Sequence, residues 1–377
     1  MRIAIVDIKP NTAKYDRYLT DALFECGNDI TLFTADPSVT RYRCHVIKLR
    51  RFFKRPVIKA NNILKGLNWL LNYLYIIRIV RKEKYEIVHF EWFVFLQHSS
   101  VEVFFLKLLS KRSKIVFTAH NVFPHSIDVD HNTKAAIIYK KRFKKIDTYL
   151  SHYIVHTHAS AIELSQEYNI PFNKISVCIH GLFLPEIQTP ICPNNNNNRF
   201  KICMFGVQSP YKGTDVLVEA FSQLPQEVKN KVAITIAGVS TDYRGTFWPS
   251  RASSLGINWV DKLLDEKELH ELLNETDLIV FPYRAISQSG ALLLALSYGK
   301  PLLVSDLPSF RETLLGCPDD VFFKVENTKE LSMRIRDFVE GSISITPILN
   351  AINQIRDRMS WTEAARQTIS AYNHVFN

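Results

Sequence analysis

Short apolar runs alternate with polar loops and helix-length stretches along this chain. Residues 278–281, Leu-Ile-Val-Phe, form one run, bounded by Pro282, and residues 302–305 form another. Between them lie a polar loop from Tyr283 to Gln288, the pair Ser289-Gly290, an apolar stretch over 291–296, and Tyr298-Gly299. The two apolar runs read as buried strands. The middle stretch reads as a helix opened by a serine and closed by a glycine. It is apolar on all sides, which predicts burial. Strand, helix, strand at this spacing predicts a βαβ unit with parallel strands.

The same pattern opens the chain. Residues 2–8 read as a strand, 12–26 as a helix closed by Gly27, and 30–34 as a second strand. Further strands are predicted over 86–92, 114–119, 151–156 and 175–179. A second series starts at 200–205, with a loop over 206–212, a helix over 214–224, a strand over 232–237 and a helix over 267–274. The proline- and asparagine-rich stretch 189–199 has no periodicity and reads as a linker. The expected architecture is α/β, with two Rossmann-like domains facing each other across a cleft. The boundaries are 1–188, the linker 189–199, 200–358, and a final helix over 359–377 that packs back on the first domain. The first βα loop, Lys9-Pro10-Asn11-Thr12, lacks the glycines of a dinucleotide fingerprint, which disfavours NAD chemistry.

Composition adds a charge asymmetry. The 377 residues carry a net charge of +10 with 46% hydrophobic content. Residues 1–190 hold 28 Lys and Arg against 16 Asp and Glu, a net of +12, and the rest is left at −2. The first half is therefore expected to meet an anionic surface. Within it, Arg50, Arg51, Lys54, Arg55 and Lys59 surround Phe52 and Phe53, ahead of an aromatic-rich helix. Basic residues interleaved with aromatics suit an anionic membrane; a solvated helix face gives the same pattern. No nucleic-acid motif accompanies the charge. The six cysteines form no CxxC pair and read as reduced thiols. No signal peptide or spanning segment is read, so the expected location is cytoplasmic, peripheral to the inner face of the plasma membrane.

Polar residues collect at strand ends, where α/β sites lie. They are His89 and Glu91, His120 and Asn121, His156 and His158, and His180. None sits at helical metal-binding spacing, so no metal site is read. The loop into the 291–296 helix places Gln288, Ser289 and Gly290 at a helix N-terminus, which suits a phosphate. An ordinary capped core helix is the plain alternative.

Phe205-Gly206, Tyr211-Lys212-Gly213, the stretch from Asp215 to Ala220, and the run from Phe281 to Glu312 together resemble the C-terminal domain of family 4 (group 1) glycosyltransferases of the GT-B fold. Thr-Ala-His-Asn at 118–121 and His180-Gly181 are similar to motifs of the N-terminal domain. The resemblance covers most of the chain, and the Tyr-Lys-Gly and Gln-Ser-Gly forms look like a bacterial surface-polysaccharide subgroup. It implies metal-independent transfer of a sugar, with retention of configuration, from a UDP- or GDP-linked donor. The acceptor would be a glycan or a glycan on a polyprenyl diphosphate, and no other cofactor is expected. The implied catalytic residues are His120, Lys212 and Glu312. The implied donor-binding residues are Gly206, Lys212, Gly213, Tyr283, Gln288, Ser289, Gly290 and Glu312. Lys212 would neutralise the departing diphosphate. The His120 imidazole, or a nearby backbone carbonyl, would hold a sugar hydroxyl. Acceptor-side candidates are Asn11, His89, Glu91, Asn121 and His180.

The sequence departs from the family at three positions. Many relatives carry glutamates where Ile286 and Leu294 stand, and the usual arginine after the first glycine is Val207. Two other readings therefore stand beside transfer. One is a nucleotide-sugar epimerase of the same fold, which needs no acceptor. The other is a non-catalytic partner subunit, which turns nothing over.

Overall fold

The computed structural model describes residues 1–9, 12–37, 41–50, 62–123, 133–183 and 199–376. The chain divides into two units, one of Met1–Gly181 with Met359–Asn377 and the other of Leu182–Arg358.

The first unit is built on seven strands. They are β1 (Arg2–Asp7), β2 (Asp29–Thr34), β3 (His45–Lys48), β4 (Ile87–Phe90), β5 (Lys114–Thr118), β6 (His152–Val155) and β7 (Ile175–Val177). All pair in parallel, in the order β3-β2-β1-β4-β5-β6-β7. Ile3 lies opposite Ile30 on one side and Ile87 on the other. Strands β1 and β4 are buried from Ile3 to Asp7 and from Ile87 to Phe90, as expected where both faces of a parallel sheet are covered.

The second unit repeats the plan with β8 (Phe200–Phe205), β9 (Val232–Ala237), β10 (Asn258–Val260), β11 (Leu278–Phe281), β12 (Leu302–Ser305) and β13 (Phe322–Phe323). Its order is β10-β9-β8-β11-β12-β13, again parallel. The expected α/β class is what the two sheets show. The edge strands β3 and β10 are short and only partly buried, and the edge strand β13 has two residues, both buried.

Each strand order reverses beside its first strand, between β1 and β4 and between β8 and β11. Successive connections leave such a point on opposite faces, which opens a crevice at the carboxyl edge of the sheet. The candidate donor site lies at the second of these places, and a row of polar side chains in the first unit runs from the first of them along the ends of β4 to β7.

Local chemistry sets the helix ends. The helix Gly290–Ser297 starts where the Ser289 hydroxyl accepts from the Leu292 amide at 3.2 Å and ends before Gly299 at φ +64°. The helix Glu266–Glu275 opens with a capping box of Asp265 and Glu268. The helix Asn62–Glu83 is longer than its apolar window. Its Asn72 is buried and bonds the Asn68 and Arg50 carbonyls, at 2.9 and 3.0 Å. The basic residues from Arg51 to Lys59, and the expected linker apart from Arg199, lie outside the described residues.

The helix Trp361–His374 packs on the helix Ala13–Glu25 and on β6, within the first unit. Trp361 stacks on Tyr18 with ring centres 5.3 Å apart. A Cβ on Gly181 would overlap the Trp361 ring, so this position requires a glycine. Among the described residues, no helix is long and apolar enough to cross a membrane.

Candidate functional site

The carboxyl end of β8 is followed by a tightly fixed loop. Gly206 turns the chain at φ +100°. The fully buried Gln208 donates to the Gly206 carbonyl at 2.6 Å and accepts from the Thr214 hydroxyl at 2.5 Å. A single turn over Pro210–Lys212 leads to Gly213, which enters the helix Thr214–Ser222 at φ +68°. A Cβ on Gly213 would overlap the Pro282 carbonyl oxygen, so the loop is pressed against the end of β11.

Arg284 fastens this arrangement from the β11 side. Its amide donates to the Tyr211 carbonyl at 2.7 Å. Its guanidinium donates to Pro210 O at 2.5 Å and to both Asp215 oxygens, at 3.0 and 2.7 Å. It also pairs with Glu326 at 2.6 Å. The Tyr243 hydroxyl donates to Asp215 Oδ1 at 2.7 Å. Burial works to raise the Asp215 pKa, but the bonds from Arg284 and Tyr243 outweigh it and hold the carboxyl below its ordinary value.

Lys212 is the group this scaffold presents. It is only 8% exposed, and its Nζ lies 5.5 Å from the centre of the Tyr283 ring. A Cβ added to Gly206 would come 2.9 Å from that nitrogen. Burial lowers the Lys212 pKa, and among the described residues no carboxylate pairs with it. The Tyr283 hydroxyl is buried beside Ser289 and closes no hydrogen bond of good geometry. Gln288 Oε1 accepts from the Ser289 amide at 3.3 Å. Gly290 is exposed at the first turn of its helix, with open space where a side chain would stand. That helix caps one of its first four amides with Ser289 and leaves the others without an intrahelical partner.

The structure thus brings Gly206, Lys212, Gly213, Tyr283, Gln288, Ser289 and Gly290 to one edge of the second sheet. Glu312 lies half-buried on the helix Pro308–Thr313 that follows β12. Ser309 on that helix donates to the Ile286 carbonyl at 2.7 Å, tying it to the same loop. The sequence reading missed Gln208 and Arg284. The visible signal was a lone arginine in the polar loop after β11, opposite an aspartate at a helix start.

In the first unit, strands β4 to β7 each deliver a polar side chain to the carboxyl edge. Glu91 Oε2 lies 2.9 Å from His120 Nε2, and His120 Nδ1 lies 3.3 Å from His156 Nε2. His156 Nδ1 donates to the Cys178 carbonyl at 2.9 Å. His180 Nδ1 donates to the Gly181 carbonyl at 2.6 Å. The Tyr15 ring sits among His120, His156 and His180, with centres 4.8, 5.4 and 4.9 Å away, and Trp92 stacks on His120. Burial pushes the His120 and His156 imidazoles down to about 3.

This geometry corrects several expectations. Both ring nitrogens of His120 are taken inside the unit, so its imidazole has none left for a sugar hydroxyl. His89 is fully buried, 2.7 Å from the Tyr372 hydroxyl and 2.6 Å from Thr118 Oγ1, so both its ring nitrogens are engaged within the fold. Glu91 and His180 are likewise buried. Asn121 is half-buried after β5, and Asn11 lies outside the described residues. Two unexpected carboxyls stand at the same edge: Asp7 ends β1, and Asp16 lies on the buried face of the next helix. Burial raises both; Asp7 and Glu91 raise Asp16 further, whereas Asp7 is raised by the Glu91 charge and lowered by its hydrogen bond with Asp16. Among the described residues, no group of His, Cys, Asp or Glu side chains is arranged to hold a metal ion.

Comparison with known proteins fits this geometry. The model of "Glycosyltransferase Family 4" matches residues 13–182, and that of "Glycosyl transferases group 1" matches residues 199–340. The chain is 20% identical over 291 residues to an uncharacterized glycosyltransferase of Methanocaldococcus jannaschii, covering 75% of this chain and 74% of that one. It is 23% identical over 231 residues to a GDP-mannose:glycolipid 4-beta-D-mannosyltransferase of Xanthomonas campestris, covering 58% of this chain and 61% of that one. The fold matches that of Anabaena Alr3699/HepE, solved with UDP and glucose, with a TM-score of 0.73, 15% identity and 99% of each chain covered. The chain belongs to the family 4 (group 1) glycosyltransferases of the GT-B fold.

Proposed function

We propose that this glycosyltransferase moves a sugar, with retention of configuration, from a UDP- or GDP-linked donor to a glycan or lipid-linked glycan in surface polysaccharide synthesis. The observation that carries this reading is Lys212: a buried ammonium, held on a clamped loop at a switch point, with no carboxylate partner among the described residues. Such a cation is poised for an anion supplied by the substrate. The bond from the sugar C1 to the diphosphate oxygen breaks, and one from C1 to the acceptor oxygen forms. The departing phosphate takes the acceptor proton. Lys212 and the open amides of the helix Gly290–Ser297 offset the charge that gathers on the diphosphate. Glu312 is assigned to the donor side of the same edge. A metal has no part in this scheme, because Lys212 and the amides supply the electrophilic contact.

The named relatives support the donor class: one uses GDP-mannose and a glycolipid, and the other was solved with UDP and glucose. The net charge of +12 over residues 1–190 suits a polyprenyl diphosphate at an anionic membrane surface. The test is a thermal-shift panel of UDP, GDP, ADP and CMP, followed by transfer assays with sugars on the base that binds. Stabilisation by UDP or GDP and acceptor-dependent turnover are expected. Product without an acceptor would point to an epimerase. Nucleotide binding without turnover would point to a partner subunit, and no binding at all would overturn the assignment.

A further inference from the structure

The row of groups from Glu91 to the Cys178 carbonyl has its direction fixed at one end. A carbonyl oxygen only accepts, so His156 donates to it from Nδ1 at 2.9 Å. A neutral imidazole has one N–H. His156 Nε2 is therefore an acceptor, and His120 must donate to it from Nδ1 across 3.3 Å. His120 Nε2 then faces Glu91 Oε2 at 2.9 Å with no proton of its own. A carboxylate in that position would set lone pair against lone pair. One further proton has to lie between the two groups, either on oxygen or on an imidazolium.

We infer that Glu91 is a neutral carboxylic acid whose O–H donates to His120 Nε2, and that it acts as a positioning residue for the turn at residues 118–121. Its other oxygen carries independent evidence. Glu91 Oε1 is buried without a hydrogen-bond partner, 3.6 Å from His89 Nε2. A carbonyl oxygen of a neutral acid tolerates that far better than an ionised carboxylate does. Burial acts in the same sense on both partners, raising Glu91 and lowering His120 to about 3. The groups around Glu91 pull in both directions, and burial decides between them. Asp7 at the end of β1 and Asp16 on the helix Ala13–Glu25 would repel a Glu91 carboxylate. Tyr15 on that helix and Tyr372 on the helix Trp361–His374 are buried phenols pushed up by burial and therefore uncharged. His89 in β4, were it protonated, and the Thr118 hydroxyl in β5 both work to lower Glu91, but burial pushes His89 down toward the neutral form and outweighs both at Glu91.

The activity arm of the test rests on the transfer reading; the spectroscopic arm does not. Protein labelled with 15N-histidine is examined at pH 7, the His120 signals being assigned by their loss in His120→Gln. Wild type should show Nδ1 protonated and Nε2 unprotonated, and Glu91→Gln should show the same, because its amide N–H replaces the acid O–H. Glu91→Gln should keep turnover within about threefold of wild type, while Glu91→Ala should lose about tenfold or more with the donor KM nearly unchanged. Wild-type turnover should fall on the alkaline side as the proton leaves, and Glu91→Gln should lack that limb. A His120 ring protonated on both nitrogens, or on Nε2 alone, would overturn the inference. So would a folded Glu91→Gln as slow as Glu91→Ala. A chain with no transfer activity would remove the transfer reading and leave the spectroscopic arm to decide.

Discussion

Arg284 grips Asp215 through two hydrogen bonds, Nη1 to Oδ1 at 3.0 Å and Nη2 to Oδ2 at 2.7 Å. The pair joins the loop after β11 to the first turn of the helix Thr214–Ser222, across the switch point of the second sheet. With the bonds to Pro210 and Tyr211, it sets where Lys212 stands while leaving the lysine without a carboxylate of its own. The planar fork of an arginine suits this two-oxygen grip in a way an ammonium does not.

Arg284→Lys should therefore behave like a loss. The bond to a charged partner is worth about 1.5–3 kcal/mol, so nucleoside-diphosphate affinity should fall roughly tenfold or more. Fluorescence or calorimetric titration checks this, with circular dichroism to confirm the fold. Unchanged affinity would mean that the clamp does not position the site.

Gly213→Ala tests the loop's contact with β11. The left-handed backbone at φ +68° costs an alanine about 1–2 kcal/mol, and the overlap with the Pro282 carbonyl adds about 1–3 kcal/mol. Thermal unfolding of the variant should be clearly lowered and donor binding lost with it. A variant as stable as wild type would show that the loop can move away from β11.

Much of this was legible in the sequence. Strands β11 and β12 are short apolar runs buried on both faces, and β8 and β9 are apolar but for Lys201 and Thr235, so all four are marked in the sequence. Ser289 and Gly299 mark their helix because capping chemistry is local. The edge strands β3 and β10 were not legible, because half-exposed edges need no apolar run. The Lys212 loop was found through its resemblance to a family, whereas its clamp was not, since Asp215 and Arg284 are 69 residues apart and pair only in three dimensions. The histidines at the strand ends were each visible. That Glu91, His120 and His156 use up one another's hydrogen bonds depends on β4, β5 and β6 lying side by side, which spacing along the chain does not show.

Glu102 offers a pH test within the first unit. It is fully buried, accepts from the Phe95 amide at 2.8 Å and the Tyr73 hydroxyl at 3.2 Å, and burial pushes its pKa up to about 8. A raised pKa means that the folded state holds the proton more tightly than the unfolded one. The resulting stability is complete below the unfolded value, near 4.5, and is lost as pH rises toward 8. Glu102→Gln keeps both acceptor contacts and removes the titration. Its stability relative to wild type should therefore rise across that window, by up to about 1.4 kcal/mol per pH unit. Denaturant unfolding at pH 5, 6.5 and 8 measures it, and a constant difference would contradict a neutral buried Glu102.

The most direct test of the donor site is isothermal titration calorimetry of UDP and GDP against wild type and Lys212→Ala. The account predicts that wild type binds one of the two with a 1:1 stoichiometry. In Lys212→Ala, affinity should fall roughly 10- to 100-fold, as expected when a buried charge-assisted contact to phosphate is lost. The unfolding transition should be preserved. Equal affinity in the two proteins would contradict the assignment of Lys212 as the diphosphate contact, and with it the placing of the donor at the edge of β8 and β11.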